Sequence, residues 1–332
     1  MVSRVVKAVL AVVVIVIVLV AVIVITAPKE EEERVVIGQA ERLAAIPTDA
    51  VQQTPDDDIY APVIHYDAWA APVPMPGPVT TAGAEDSPFI TPNGTWFFFF
   101  FTPDVTVPAN EQLMDGVTGI WWCQLVNGSW SSPERIVTCD DVSLDGAEFV
   151  RGKTMWYASI RADNYGEIDV YTADYEDGEW TNFENAGEQL NVDYDIGEFH
   201  ITSDGETMYF HTAEVEFGGD MDIYVTHLVD GSWTEPEPVP GINTDGMEGY
   251  PYISYDGKEL WYTGTSGLGY AGPAIYRSVL QSNGTWSTPV EIVSNFAGEP
   301  TLDADGNLYF VHHYFDAEGT MLEADIYVAY RQ

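Results

Sequence analysis

The sequence predicts an all-β chain, a five-bladed β-propeller with four-stranded blades, preceded by an N-terminal hydrophobic helix. Two observations indicate the propeller: a two-hairpin unit recurs five times, and the two ends of the chain carry complementary pieces of that unit. A third observation, an uncharged run near the N-terminus, indicates the helix.

The repeating unit is complete between residues 218 and 264. Apolar residues alternate in DIYVTHLV, which is typical of a half-buried strand, and Asp230-Gly231 is a turn pair that favours a tight hairpin. Trp233 then opens an outer strand. After a Pro-rich crossover, YPYIS and ELWYT form a second hairpin around Asp256-Gly257.

The second hairpin occurs five times, each time led by a glutamate, and the intervals between these glutamates are 63, 50, 50 and 51 residues. An insertion over residues 103–119 accounts for the longer first interval. The outer-strand tryptophan also occurs five times, at Trp69, Trp130, Trp180, Trp233 and Trp286. Equal counts of the two features predict five copies of one blade.

The order of the pieces predicts a closed ring. The chain ends at DIYVAYRQ, a third strand with no tryptophan strand after it, whereas WAAPVPMPGPVTTAG is a tryptophan strand that precedes the first inner strand. We therefore expect residues 66–80 to pair with the strand around residues 325–329. This pairing would remove the exposed sheet edges of an open propeller.

On these motifs the chain resembles WD40-like β-propeller repeats of the TolB type, in which an Asp-Ile-Tyr strand, a Gly-x-Trp-x-x-Pro strand, an Asn-Thr crossover and an Asp-Gly hairpin alternate. The resemblance covers residues 60–332, which we assign to the propeller. It implies the architecture and says little about activity, because such propellers serve as binding scaffolds and as enzymes. The second unit departs most, since Arg151-Gly152-Lys153 replaces the Asp-Gly turn.

The N-terminal region precedes the propeller. Residues 8–28 are uncharged, and a helix of this length spans about 31 Å, the thickness of a bilayer core. We assign residues 1–29 to a transmembrane or filament-core helix and residues 30–59 to a short helix and linker. Arg4 and Lys7 precede the apolar run, which places the propeller outside the cell. A retained anchor is favoured over a cleaved signal peptide, whose apolar run is usually shorter.

Charge restricts the partners. Only 12 Lys and Arg oppose 53 Asp and Glu, for a formal net charge of -41. The charge excludes nucleic acid and anionic lipid surfaces as partners of the propeller, because both are polyanionic. Two interpretations of the acidic surface stay open: a solvated coat, or a surface that collects cations.

Two kinds of covalent modification are compatible with an exported protein. Cys123 and Cys139 could form a disulfide, although the hairpin turn between them places Cys123 opposite a different residue. Three sequons begin at Asn93, Asn127 and Asn283, all in predicted hairpin turns. Asn-Gly is favoured in such turns by backbone geometry alone, and exposed turns would also allow glycosylation.

The candidate channel or cation-binding residues are the five leading glutamates of the inner strands, Glu85, Glu148, Glu198, Glu248 and Glu299. When the units are aligned by their turns, Glu198 and Glu299 are displaced by two positions from Glu85 and Glu248, which keeps the strand face and changes the depth. Like charges around a channel would raise pKa values or recruit a hard cation such as Ca²⁺. Alternatively, each glutamate caps backbone groups and maintains its blade.

We expect a non-catalytic binding or assembly module at the cell surface, with proteins, carbohydrates or, in a filament, further copies of the chain as partners. The alternative is an extracellular carbohydrate-active hydrolase that uses inner-strand carboxylates as acid and base. The sequence contains no GxSxG, HExxH or phosphate-loop motif, and its six histidines are scattered over different strands. It therefore singles out no catalytic residue.

Overall fold

The computed structural model describes residues 36–192, 196–213 and 221–332. Residues from Ile37 to Gln332 belong to one compact unit, and its sheets are the five predicted propeller blades. The apolar run over residues 8–28 lies outside the described residues. Within the described part of the chain, no helix has the length and apolar character needed to cross a membrane.

Each blade is an antiparallel sheet whose first strand is innermost. Blade one contains β3 (Ala84–Ile90), β4 (Trp96–Thr102), β5 (Gly119–Val126) and an outer strand split into β6 (Ser129–Trp130) and β7 (Glu134–Arg135). Blade two contains β8 (Leu144–Arg151), β9 (Thr154–Ile160), β10 (Asp169–Glu176) and β11 (Glu179–Asn185).

The remaining blades repeat this plan. Blade three contains β12 (Phe199–Ile201), β13 (Thr207–Thr212), β14 (Asp222–Val229) and the split strand β15 (Ser232–Trp233) and β16 (Glu237–Pro238). Blade four contains β17 (Glu248–Ile253), β18 (Glu259–Thr265), β19 (Pro273–Val279) and β20 (Val290–Ser294), with β1 (Val63–Ile64) added outside. Blade five contains β21 (Ala297–Leu302), β22 (Leu308–Phe315), β23 (Met321–Ala329) and β2 (Val73–Pro74). Three short helices, α1 (Gln39–Ala45), α2 (Ala109–Gln112) and α3 (Glu188–Asn191), complete the described elements.

Aromatic side chains fill the space between neighbouring blades. The apolar run in β4 is buried on both faces, and Phe97, Phe98 and Phe99 have no exposed surface. The ring of Phe98 stacks on Trp122 within blade one and meets Trp180 of blade two edge-on, with centroids 5.9 Å and 5.8 Å away. Burying one such ring stabilises the fold by roughly 1.5–3 kcal/mol.

The ring closes where the two ends of the chain meet. Strand β2 pairs with β23, so that Val73 lies opposite Val328 and Pro74 lies opposite Tyr327. The hydrogen bond from the Met75 amide to the Ile326 carbonyl, at 2.7 Å, extends the ladder. The fourth strand of blade five therefore comes from the N-terminal side of the propeller.

Residues 37–64, which we call the strap, run across the propeller before the first blade begins. Its helix α1 carries Arg42, which has no exposed surface. The guanidinium of Arg42 forms an ion pair with Glu85, donates hydrogen bonds to the carbonyls of Pro78 (3.1 Å) and Val79 (2.7 Å), and lies 4.4 Å from the ring centre of Phe101. A buried cation is tolerated only when it is paired in this way.

The rest of the strap is also anchored. The Gln53 amide donates to Oε2 of Glu323 at 2.7 Å, and Oδ2 of Asp58 lies 2.9 Å from Nε2 of His312, with both of these side chains buried. Strand β1 then pairs with β20 of blade four. The strap thus contacts blades four and five as well as blade one.

We expect deletion of residues 60–80 to cause aggregation, because it removes β1 and β2 and exposes the edges of β20 and β23. Size-exclusion chromatography and thermal melting measure the effect, with a chain that starts at residue 36 as the control. A deletion variant that stays monomeric with an unchanged melting temperature would contradict the closure described here.

Candidate functional site

One mouth of the central channel opens into a cavity of about 340 Å³. We call it the acidic mouth, because Asp86, Asp145, Glu198 and Glu299 line it. Lysine and arginine are missing from the described residues that line it. A narrow space of about 40 Å³ continues along the channel and is lined by Glu148, Glu198 and Glu299 among others.

Backbone bulges position the side chains at the acidic mouth. In β3, β8, β17 and β21 the strand ladder shifts register, and one residue at each shift has a positive φ: Ser87 (44°), Ala147 (54°), Tyr250 (55°) and Glu299 (54°). Residues with side chains rarely adopt this conformation unless the surrounding structure imposes it. Together with Glu198, which directly precedes β12, these residues line the cavity, so each blade contributes to it.

Two of the predicted glutamates have a structural role. Glu85 accepts hydrogen bonds from the amide (3.0 Å) and hydroxyl (2.5 Å) of Thr81, and Glu248 accepts the same pair from Thr244, both at 2.7 Å. Both glutamates lie two residues before their bulge. At that position blade two has Asp145, which accepts hydrogen bonds from Thr138 and Ser143 and forms an ion pair with Arg161 at 3.0 Å. Glu85 and Glu248 therefore each accept hydrogen bonds from the backbone and the side chain of a threonine that precedes their own strand.

The other predicted glutamates lie close together. The Ser87 hydroxyl donates to Glu198 at 3.0 Å, and the Ser87 amide donates to Glu299 at 2.9 Å. Glu299 also shares a hydrogen bond with the side chain of Asp86. Nε2 of His313 lies 3.6 Å from Oδ2 of Asp86. Carboxyl groups from blades one, three and five therefore form one network around Ser87.

Burial and mutual repulsion keep part of this network neutral. Burial raises the pKa of Glu198 to about 8, and the charge of Asp86 adds to the rise, against the hydrogen bond from Ser87. Burial, followed by the charges of Asp86 and Glu198, raises the pKa of Glu299 well above its ordinary value. Burial also acts to raise the pKa of Asp86, but the hydrogen bond and charge of His313, together with the hydrogen bonds of Glu299 and the Ser87 amide, outweigh burial and lower that pKa. Asp86 is therefore the ionised member of the group.

Glu148 lies in the narrow space below the acidic mouth. Neither of its carboxyl oxygens has a hydrogen-bond partner among the described residues. Burial raises its pKa well above the ordinary value, and the charges of Glu198 and Asp86 raise it further. Burial and the neighbouring carboxylates therefore favour the neutral form of this side chain.

Sequence reasoning missed three residues of the site, Asp86, Ser87 and His313. Strand alternation predicts that Asp86 and Glu85 point to opposite faces, but it does not predict the bulge that brings Asp86 and Ser87 to the cavity. The adjacent pair His312-His313 does point to opposite sides, with His312 on Asp58 in the strap and His313 on Asp86. In the aligned sequence units, Glu198 and Glu299 are displaced by two positions from Glu85 and Glu248, and this displacement was the sequence signal of the bulges.

In residues 36–192, 196–213 and 221–332, no three His, Cys, Asp or Glu side chains are arranged to hold a metal ion. Binding of Ca²⁺ stays a prediction. Cys123 is buried in blade one, and Cys139 is a separate thiol whose sulfur lies 3.4 Å from the Ser143 hydroxyl. The three sequon asparagines are exposed: Asn93, Asn127 and Asn283.

Comparison with known proteins shows that the chain is similar to solved structures in fold. No family model matches the chain, and no curated protein is detectably similar. Among solved structures, TolB from Acinetobacter baumannii is 15% identical with a TM-score of 0.42, over 76% of this chain and 56% of that one. The chain therefore spans little more than half of that TolB. Its fold is similar to TolB-type propellers.

Solved structures of glycoside hydrolases are similar to a comparable degree. The endo-arabinase from Bacteroides thetaiotaomicron is 15% identical with a TM-score of 0.48, over 75% of this chain and 94% of that one. The exo-β-1,3-galactanase from Clostridium thermocellum is 10% identical with a TM-score of 0.48, over 81% of this chain and 62% of that one. Similarity of this size carries no argument about function.

We expect the fold to lose stability as the pH rises from about 5 to 8. The pKa of Glu198 is raised from 4.5 to about 8 in the folded state, so its contribution is complete below the unfolded pKa and is lost as the pH rises through the folded pKa. Glu198→Gln removes this titration and should stabilise the protein at pH 8 by on the order of 1 kcal/mol. Denaturant unfolding at pH 5 and pH 8 measures the difference, with Glu318→Gln, an exposed turn residue, as the control. An equal effect of Glu198→Gln at both pH values would rule out the raised pKa.

Proposed function

We propose that this protein is an exported propeller, anchored by residues 8–28, that acts as a non-catalytic binding module at the cell surface. The observation that carries the proposal is the convergence of Asp86, Glu198 and Glu299 on Ser87 in an open cavity. Glu85 and Glu248, in contrast, are held by threonines, and they do not line the cavity. The acidic mouth therefore has hydrogen-bonding capacity that the fold itself does not use.

The chemistry of the acidic mouth favours a cationic group as the ligand. Asp86 is ionised, whereas Glu198 is held neutral by burial and by Asp86, with its pKa at about 8. A protonated amine or guanidinium placed among these carboxyls would offset their repulsion and lower their pKa values. A lysine or arginine side chain of a protein partner has this chemistry. The affinity for the cationic side chain should then increase as the pH rises toward 8, because binding of the cation displaces a proton from Glu198.

We expect Nα-acetyl-lysine amide to bind at least about tenfold more tightly than its Nε-acetylated counterpart, which keeps the shape and lacks the charge. Calorimetry at constant ionic strength measures this ratio at pH 6 and pH 8. Asp86→Asn and Glu198→Gln should each weaken binding of the charged probe, and Glu318→Gln, which changes an exposed glutamate, should not. Ca²⁺ should compete with the probe and raise the melting temperature if it occupies the same carboxyls.

Equal binding of the two lysine probes would contradict the proposal. So would a Glu318→Gln effect as large as that of Asp86→Asn, because the attraction would then come from the overall negative charge.

A second candidate function is glycoside hydrolysis. The observation in its favour is that one cavity contains an ionised carboxylate, Asp86, and a carboxyl with a raised pKa, Glu198. Such a pair can supply the base or nucleophile and the general acid of this reaction. The shared hydrogen bond between Asp86 and Glu299 argues against it, because a catalytic carboxylate must be free to face the sugar or the attacking water.

Turnover of a panel of nitrophenyl glycosides tests this candidate. If the protein is a hydrolase, Asp86→Asn and Glu198→Gln should each lower kcat by at least about 10²-fold, whereas Glu248→Gln should act only through stability. We expect the unmodified protein to show no turnover that is lost in both variants. A loss of turnover in both variants with unchanged melting would replace the binding module by an enzyme.

A further inference from the structure

The opposite mouth of the channel has the opposite charge. It opens into a cavity of about 430 Å³ lined by the inner hairpin turns of blades one to four. Its described lining residues include Arg151 and Lys153 and no aspartate or glutamate. In a chain with 53 acidic and 12 basic residues, this composition is unexpected. We call this cavity the basic mouth.

The charge reversal originates in the irregular turn of blade two. In blades three and four the turns carry Asp204 and Asp256, whose carboxylates accept hydrogen bonds from Thr202 (2.6 Å) and Ser254 (2.8 Å) of the same turns. In blade two, the register pairs Arg151 directly with Thr154, so the turn is shorter and contains no such aspartate. The shorter turn removes one acidic group from the rim and adds two cations.

The two cations of the basic mouth lie near carboxylates without pairing with them: the charge of Arg151 acts on Asp204, and Lys153 shares a second surface cavity with Asp174, Glu176 and Asp177. The other described Lys and Arg side chains are occupied: Arg42, Arg161, Lys258 and Arg277 form ion pairs, Arg135 donates to the Thr118 carbonyl, and Arg331 lies over Trp69. Arg151 and Lys153 form no ion pair with any described residue, and both are exposed. The guanidinium of Arg151 lies against the Asp204-Gly205 turn, where Asp204 is already bonded to Thr202 and to the Glu206 amide.

Aromatic rings form part of the basic mouth. Tyr255 is 65% exposed at its rim, and Trp96 and Tyr252 lie further in. The ring of His200 packs 4.9 Å from Phe149 and 4.7 Å from Tyr252 between ring centres. Burial lowers the pKa of His200 to about 3, so the imidazole is neutral, and its Nδ1 has no hydrogen-bond partner among the described residues.

We propose that the basic mouth binds one acidic sugar residue, a hexuronate. Arg151 and Lys153 would bind its carboxylate, and the exposed face of Tyr255 would pack against its ring. The volume lies in the range of small-molecule sites, roughly 300–1,000 Å³. The net charge of -41 repels a polyanionic chain, which favours a ligand with a single carboxylate. This site is separate from the acidic mouth and does not depend on the function proposed for it.

Calorimetry with methyl β-D-glucuronoside and methyl β-D-glucoside tests the proposal. We expect the glucuronoside to bind at least about tenfold more tightly, because only its carboxylate can form charge-assisted hydrogen bonds with Arg151 and Lys153. Benzoate distinguishes a sugar site from a site for aromatic anions and should bind more weakly than the glucuronoside. Equal binding of the two glycosides, no saturable binding of the glucuronoside in the millimolar range, or tighter binding of benzoate would each overturn the proposal.

Three substitutions locate the site. Arg151→Gln and Lys153→Gln should each weaken glucuronoside binding about tenfold, with unchanged melting because both side chains are exposed. Lys258→Gln is the matched control, because Lys258 lies in the corresponding turn of blade four, is paired with Asp256, and does not line the cavity. Unchanged binding in both Arg151→Gln and Lys153→Gln, or an equal loss in Lys258→Gln, would show that the basic mouth is not the site.

Discussion

The pairing of β2 with β23 is the constraint on which the rest of the structure depends. Without it, five sheets would form an open arc with two free edges, and the inner strands would not share a channel. Closure brings the beginnings of the inner strands together, and the bulges at Ser87, Tyr250 and Glu299 keep a positive φ there. The distances between the channel carboxyls are therefore set by the circumference of the ring rather than by local preference.

Hydrogen-bond donors then decide the role of each acidic side chain. A threonine four residues upstream gives Glu85 and Glu248 two donors each, and these hydrogen bonds offset part of the loss of water around the carboxylate. Glu148 has no such donor, and burial raises its pKa well above the ordinary value. The glutamates that recur once per blade thus divide into residues that maintain the fold and residues that line the site.

The architecture could be predicted from the sequence because it depends on counts and order: five recurring tryptophans, five inner hairpins and one split blade. Trp69 and Trp286 form isolated bridges rather than the predicted strands. The site could be predicted only in part. Glu198 and Glu299 were among the candidates, but the bulges that bring Asp86 and Ser87 beside them have no sequence period. The burial of Arg42 was also not predicted, since a single arginine in a short helix gives no pattern that distinguishes it from a solvated one. The turn at Arg151 was noticed as irregular, and only the structure places it at a channel mouth.

The buried Arg42 has a mechanical consequence. If residues N-terminal to the strap are held at a surface, tension on the propeller enters at residue 37, beside the bridge between Gly38 and Glu134. The Arg42 side chain is the next contact under load, and separating it from Glu85 leaves a buried charge unpaired, at a cost of about 3–5 kcal/mol. The hydrogen bond of Gln53 and the ladders of β1 and β2 follow it along the chain. A pulling force would therefore be resisted by the bridge at Gly38 and by the buried ion pair of Arg42 before it reaches the strands that close the ring.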